Sequence, residues 1–318
     1  MAFSLLLLLC LPLVLAWNNS NHLVVLSHGL MGSEMDLEYL ASQLKKKGNV
    51  VLSSGANRLL ASTTGVEAGA KRLLEEVQES LRLHPHVNKI SFVGNSLGGI
   101  YARYAARLFK SDHVIMHKFM TVATPHLSVR DHIYLEEKLG PLPTTLKGLV
   151  ASLLRETGRE LFMRDVDNLL YRMSCDEAFL EPLRQFKERR LYANLDGDFM
   201  VPLGTAAFLD DDQVRLLREK HSQESGIVTV IRHEGGGVAE CKQGGVAKIE
   251  SMRAGLNSLQ WDKHIVSFPA RFPFSLLPLA HNKIAALRKN PRWLFTAVLG
   301  TSQGEPVMDH AAHWLSSE

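Results

Sequence analysis

Ser96 lies at the centre of residues 94–98, which read Gly-Asn-Ser-Leu-Gly. A serine hydroxyl is a weak nucleophile unless it is held exposed beside a base, and a sharp strand-to-helix elbow provides that exposure. Glycines two residues before and two after the serine permit so tight a turn. The apolar run 90–93 precedes the motif, and apolar residues at helical spacing follow it. The pattern predicts Ser96 as an activated nucleophile rather than an ordinary turn serine.

Residues 28–30, His-Gly-Leu, follow the first clear apolar run. Acyl transfer places negative charge on a carbonyl oxygen, so hydrogen-bond donors must already point at that position. The backbone N–H of Leu97, at the start of the elbow helix, and that of Leu30 are the predicted oxyanion-hole donors. His28 is expected to shape its loop, because a base located before the nucleophile would break the usual order of serine, acid and histidine.

The catalytic acid is expected in residues 192–202, where a strand pattern runs into a loop with two carboxylates. Asp198, just before Val-Pro, is the predicted acid of a triad. Asp196 is the reserve candidate. The alternative for both is a turn aspartate that caps its own loop.

Two histidines follow the last predicted strand and compete for the role of base. His281 follows that strand through a loop, whereas His310 is expected in the first turn of a C-terminal helix. The base must reach the carboxyl edge of the sheet, which favours His281 and leaves His310 in reserve. His264, inside a strand, and His313, on the final helix, are expected to be structural.

Short apolar runs alternate with amphipathic stretches along the chain, which is the pattern of a parallel sheet with crossover helices. Together with the serine elbow, this alternation predicts an α/β-hydrolase fold, a mostly parallel sheet with helices on both faces. The predicted strands are 23–27, 49–53, 89–93, 118–122, 190–194 and 262–268, and the main predicted helices are 38–47 and 65–83, with a third after Ser96.

Residues 127–189 interrupt the alternation with amphipathic helical sequence, including an apolar cluster at 146–154. An insertion at this point predicts a helical cap over the site, and the alternative is an additional packing layer. Glycines at 235–237 and 244–245 are interpreted as a flexible loop, since they are not expected to follow a strand or open a helix as a phosphate-binding loop must.

The 318 residues are 46% hydrophobic and 22% charged, with a formal net charge of +3. This composition is that of a globular protein, expected here as one domain over 18–318. The charges are mixed along the chain, so no nucleic-acid partner is expected. The three cysteines, Cys10, Cys175 and Cys241, lack the spacing of a zinc site. Buried free thiols are expected at Cys175 and Cys241, with a disulfide between them as the alternative.

Residues 1–17 form an uncharged apolar leader. Its length suits a signal peptide or a membrane anchor, and residues 14–16 resemble a cleavage site. No basic residue precedes the run, so a buried N-terminal strand or a misassigned start of the coding sequence are equal alternatives. Localisation depends on this choice: secretory or membrane-associated in the first case, intracellular otherwise. The sequon at 18–20 matters only in the secretory pathway.

Five motifs in order resemble those of the DUF676 family of serine esterases, which includes the Rog1-type lipases of yeast. The resemblance implies an esterase or lipase acting on lipid acyl esters, such as monoacylglycerols or phospholipids. A peripheral contact with a membrane or a lipid droplet is the expected partner interaction. Ser128 departs from the glycine usual in the family, and the family also has a segment like the one around His310. The motifs lie at 26–32, 94–99, 121–127, 198–202 and 280–284.

The expected reaction is ester hydrolysis through an acyl-enzyme on Ser96, with His281 as base and Asp198 orienting it. This chemistry requires no metal or organic cofactor. An acyltransferase with the same triad, in which an alcohol replaces water, is one alternative. A catalytically silent hydrolase-fold protein that binds lipid is the other.

Overall fold

The structure is a computed structural model that describes residues 20–129, 154–198, 200–236, 245–268, 279–288, 294 and 298–318. The predictions for the leader, for the apolar cluster up to residue 153 and for Cys10 and Cys241 lie outside these residues. Cys175 forms no disulfide with a described residue and is half-buried rather than fully buried. Of the described helices, none is both long and apolar enough to cross a membrane.

Seven strands within the described residues form one sheet in the order β2-β1-β3-β4-β5-β7-β6. All neighbouring pairs are parallel except β6 with β7, which are antiparallel. This topology, with a helix following the nucleophile strand directly, is that of the predicted α/β-hydrolase fold. The strands are β1 His22–Ser27, β2 Val50–Ser53, β3 Lys89–Asn95, β4 Ile115–Val122, β5 Glu188–Asn194, β6 Gly226–His233 and β7 Trp261–Ser267.

Eleven α-helices and two short 3₁₀ helices, Leu59–Thr63 and Thr301–Gly304, are found in the described parts of the chain. In chain order the α-helices are α1 Glu38–Lys46, α2 Val66–Leu83, α3 Leu97–Leu108, α4 Arg155–Leu161, α5 Leu169–Cys175, α6 Glu177–Arg184, α7 Leu203–Ala206, α8 Asp211–His221, α9 Gly245–Asn257, α10 Ala280–Ile284 and α11 Glu305–Ser316.

Alternate residues of β1 supply two hydrophobic cores, one on each face of the sheet. Leu23 and Val25 pack into the core that α2 and α3 cover. Val24 and Leu26 face the second core, which α1 and α11 cover. Every residue of β1 is buried, because helices lie over both faces. A strand buried on both sides reads as a continuous apolar run, which is why the sequence pattern identified β1.

The region between β5 and β7 contains more regular structure than its weak sequence periodicity indicated, and the flexible-loop prediction for residues 237–244 lies outside the described residues. It contains an antiparallel edge strand, β6, and the helices α8 and α9. Gly235 and Gly236 do follow a strand, and Gly245 does begin a helix. β6 has a single neighbour and is half-exposed. Its run at 227–231, Ile-Val-Thr-Val-Ile, is rich in β-branched residues, so the sequence did carry a strand signal here.

Three helices, α4, α5 and α6, are described in the segment predicted as a cap, and β5 begins at Glu188, two residues earlier than expected. Two side chains of α4 accept hydrogen bonds from backbone N–H groups at the start of α2. Glu160 Oε2 accepts from Val66 N at 2.7 Å, and Thr157 Oγ1 accepts from Gly65 N at 2.9 Å. Burial raises the pKa of Glu160 to about 7. That this segment covers the catalytic site stays a prediction.

Candidate active site

Ser96 occupies a strained turn between β3, which ends at Asn95, and α3, which begins at Leu97. Its φ is 54° and its ψ is −127°, a backbone conformation that non-glycine residues rarely adopt. The turn is held by Ser96 N donating to Val122 O at 2.8 Å. This is the local geometry of a nucleophile elbow at the carboxyl edge of the sheet.

Glycines surround the elbow because the chain segments meet there without room for a side chain. A Cβ on Gly94 would lie 2.2 Å from Gly99 Cα, and one on Gly98 would lie 2.1 Å from Ser27 O. A Cβ on Gly99 would lie 2.1 Å from Thr124 Oγ1. The glycines thus let α3 start directly against the ends of β1 and β4.

The loop after β1 reaches the serine, as the predicted oxyanion hole requires. A Cβ on Gly29 would lie 2.8 Å from Ser96 Cβ. The next residue, Leu30, has an N–H that donates no hydrogen bond to any described residue, and the same holds for the N–H of Leu97. The first N–H groups of a helix have no partner within the helix, so Leu97 is available to an acceptor beside Ser96.

His28 is buried in the same loop and bonds within it. Its Nδ1 donates to Gly29 O at 2.9 Å, which leaves Nε2 as the unprotonated nitrogen, without a partner among the described residues. The ring therefore bonds to the backbone of its own loop.

Asp198 follows β5 and is almost fully buried. Its Oδ1 accepts from Met200 N at 3.0 Å and Val201 N at 2.8 Å, and its Oδ2 accepts from Asn194 Nδ2 at 2.8 Å. Sequence reasoning had not singled out Asn194. The signal was available as a strand-end asparagine four residues before the predicted acid.

His281 lies against Asp198, with its Nδ1 donating to Asp198 Oδ2 at 2.9 Å. Two backbone contacts hold the segments together: Ala280 N donates to Gly197 O at 3.1 Å, and Leu279 forms a β-bridge with Asp198. The sequence predicted that His281 lies in a loop. In the structure it is the second residue of the short helix α10. The helix was not predicted because five residues are too few to show a helical repeat of apolar residues in the sequence.

The two reserve residues contact other groups. Asp196 accepts from Arg218 Nε at 3.0 Å and its side chain is 58% exposed. His310 shares a 2.8 Å hydrogen bond with the Tyr192 hydroxyl and its ring lies 5.1 Å from that of His264. It lies in the second turn of α11, rather than the first, because the helix already begins at Glu305.

His126, from the Thr-Pro-His motif, is fully buried behind the elbow. Its Nε2 donates to Thr121 Oγ1 at 3.0 Å, and its Nδ1 accepts from Arg103 Nη1 at 3.3 Å. Burial, and then the positive charges of Arg103 and Lys263, lower the pKa of His126 well below its usual value. Arg103 Nη2 also donates to Met173 O at 2.6 Å, which joins α3 to α5. This neutral histidine is part of the support behind α3, the helix that follows Ser96.

A family model described as "Putative serine esterase (DUF676)" matches residues 17–209, more than half of the chain. The chain belongs to this family. The DUF676 match covers the elbow, the β1 loop and Asp198, but not His281. Within the described part of the chain, no three His, Cys, Asp or Glu side chains are grouped as ligands for a metal ion.

Relatives of this DUF676 chain are found in Saccharomyces cerevisiae. The "Putative lipase ROG1" is 32% identical over 218 residues, covering 62% of this chain and 30% of that protein. The "Putative lipase YDL109C" is 27% identical over 230 residues, covering 67% of this chain and 34% of that protein. The chain therefore spans about a third of the length of these relatives.

A solved structure, the esterase Pf2001 of Pyrococcus furiosus, is also similar to the DUF676 chain. It is 17% identical with a TM-score of 0.38, and the alignment covers 64% of this chain and 69% of that one.

Proposed function

We propose that the protein is a serine esterase or lipase that hydrolyses lipid acyl esters with Ser96, His281 and Asp198 as its catalytic triad. The observation that carries the proposal is the hydrogen bond from His281 Nδ1 to Asp198 Oδ2, at the edge where β3 delivers the strained Ser96. β4 lies between β3 and β5. Neighbouring strands are about 4.8 Å apart, so the two strand ends lie about 10 Å apart, a gap an imidazole can bridge.

The proposed reaction has two halves. His281 Nε2 takes the proton of Ser96 Oγ as that oxygen attacks the ester carbonyl, and the Leu30 and Leu97 N–H groups stabilise the oxyanion. Collapse of the tetrahedral intermediate breaks the ester bond, and His281 gives the proton to the departing alcohol. Water, deprotonated by the same nitrogen, then attacks the acyl-enzyme; the bond to Ser96 Oγ breaks, the acid is released, and His281 returns the proton to Ser96 Oγ. Asp198 keeps the Nδ1 proton in place and stabilises the imidazolium.

A lipid substrate is supported by the lipase names of the yeast relatives and by exposed apolar side chains beside the proposed oxyanion loop. Met31 and Met35 lie on that loop, and Leu59 and Leu60 lie on the neighbouring 3₁₀ helix. Met31 N donates to Ser62 Oγ at 2.8 Å, which joins the two segments. This surface suits contact with a membrane or a lipid droplet, because contiguous exposed apolar side chains mark interaction sites.

The proposal is tested with a fluorophosphonate probe and a short soluble acyl ester such as p-nitrophenyl butyrate. We expect one adduct, located on Ser96 by mass spectrometry. Ser96→Ala should lose the adduct and about 10⁴-fold or more of the turnover, whereas Ser222→Ala, at an exposed serine, should retain both. An unlabelled but folded wild-type protein would show a silent hydrolase fold, and ester products formed with an added alcohol would show an acyltransferase.

A further inference from the structure

The last residue of β5 is an asparagine whose amide contacts the carboxylate of Asp198. Asn194 is 1% exposed, and its Nδ2 donates to Asp198 Oδ2 at 2.8 Å. The same oxygen accepts from His281 Nδ1 at 2.9 Å. One carboxylate oxygen therefore serves two donors, one from the sheet and one from the imidazole.

The chemistry of the groups fixes the orientation of this amide. A carboxylate only accepts hydrogen bonds, so the amide nitrogen of Asn194, and not its oxygen, must face Asp198. Asn194 Oδ1 is then buried without a partner among the described residues. An unpaired buried oxygen costs free energy, so the contact made by the nitrogen accounts for a polar side chain at this position.

Asn194 lies within the sheet, whereas the residue it contacts lies beyond it. It lies in β5 and pairs with Val266 of β7, and the next residue, Leu195, donates its N–H to Val266 O at 2.7 Å. Asp198 lies beyond the strand, after Gly197, whose φ is +72°. The amide thus ties a loop carboxylate to a strand with a neighbour on each side.

We propose that Asn194 is a positioning residue that fixes the Asp198 carboxylate and moderates its hydrogen bond to His281. The inference rests on the proposed function. While the amide bonds to Oδ2, it withdraws electron density from that oxygen and limits carboxylate rotation. Without the amide, Oδ2 serves His281 alone and holds a protonated imidazole more tightly. A higher pH is then needed to free His281 as a base.

The test compares Asn194→Leu with Asn49→Leu, since leucine has the same number and branching of side-chain heavy atoms as asparagine and no polar atoms, and the larger methyl groups are common to both variants. Asn49 is also a buried asparagine, and its Nδ2 donates to Leu44 O and Ser316 Oγ, away from the catalytic residues. In Asn194→Leu we expect the acid limb of the kcat/KM profile to move up by about half a pH unit. We also expect kcat to fall roughly tenfold with KM unchanged, as one lost hydrogen bond predicts. Asn49→Leu should lower Tm and leave the acid limb in place.

A second measurement does not depend on turnover. The Nδ1 proton of His281, assigned by its loss in His281→Gln, should move downfield in Asn194→Leu, because its bond to Asp198 becomes stronger. An unmoved acid limb in folded, active Asn194→Leu, or an unmoved proton resonance, would overturn the inference. If the wild-type protein reacts with no fluorophosphonate, the proposed function fails by itself, and the resonance still decides whether Asn194 moderates the bond.

Discussion

His281 and Asp198 lie 83 positions apart in the chain, yet their side chains are joined by a 2.9 Å hydrogen bond in the protein interior. Between them the chain forms β6, α9 and β7 before it returns to the loop after β5. The β-bridge between Leu279 and Asp198 marks that return. The pairing is therefore a product of tertiary structure, with backbone contacts on both sides of it.

Asp198→Asn should lower kcat of ester hydrolysis by about 10⁴-fold, because an amide at this position no longer fixes the imidazole tautomer. Asp196→Asn is the matched control, since its carboxylate meets Arg218 at the surface. Steady-state kinetics on one soluble ester measures both. A greater loss in Asp196→Asn would transfer the acid role to that residue.

His281→Ala should remove at least 10⁴-fold of the turnover. His310→Ala should remain active and lose about 1 kcal/mol of stability with its Tyr192 hydrogen bond. Fluorophosphonate labelling rates and urea unfolding, measured on both variants, separate the two effects. Normal labelling of folded His281→Ala, with none of His310→Ala, would assign the base to His310.

Gly98→Ala should unfold the elbow or displace it, because the added methyl group would lie 2.1 Å from the backbone oxygen of Ser27. We expect a loss of several kcal/mol in the free energy of unfolding and loss of probe labelling. Gly55→Ala is the control, since its methyl group would meet only the flexible ends of Glu34, at 3.4 Å, and Glu76, at 4.0 Å. Equal stability of the two variants would contradict the close packing of α3 on β1.

Glu160→Gln should stabilise the protein at pH 8 and have little effect near pH 4.5. Burial raises the pKa of Glu160 from 4.5 to about 7, so the folded state keeps the proton to a higher pH than the unfolded state does. The free energy of unfolding therefore falls as the pH rises from 4.5 through 7. Glutamine keeps an acceptor for Val66 N without the charge. We expect a gain of about 1 to 3 kcal/mol at pH 8 by urea unfolding. Glu156→Gln, on the exposed side of α4, removes only a neighbouring negative charge and should give a smaller gain at pH 8.

The parallel strands were predictable because helices cover both faces of the sheet and leave continuous apolar runs, as in β1. The elbow was predictable because neighbouring backbone segments come too close there for a side chain. Only glycine fits at these positions, and the glycines are visible in the sequence. β6 was not predicted, although its β-branched run at 227–231 favours a strand. The helices α8 and α9 were not predicted either, and α8 is largely solvated.

The contact between Asn194 and Asp198 was not predicted for a different reason. Strand alternation gives the face on which a side chain lies, but not the distance from that side chain to a loop residue. The position of His281 was also only partly predictable. Its place in the chain after the serine and the acid suggested a base, but its location on α10 depends on backbone contacts with Gly197 and Asp198.

The hydrogen bond from Arg103 to Met173 O joins α5 to α3 within the buried core. Burial lowers the pKa of Arg103 to about 9, and no described carboxylate pairs with it. Separating α5 from α3 would strip a buried guanidinium of acceptors that water cannot readily replace, at a cost of several kcal/mol. Helix α5 should consequently move with α3 as one unit.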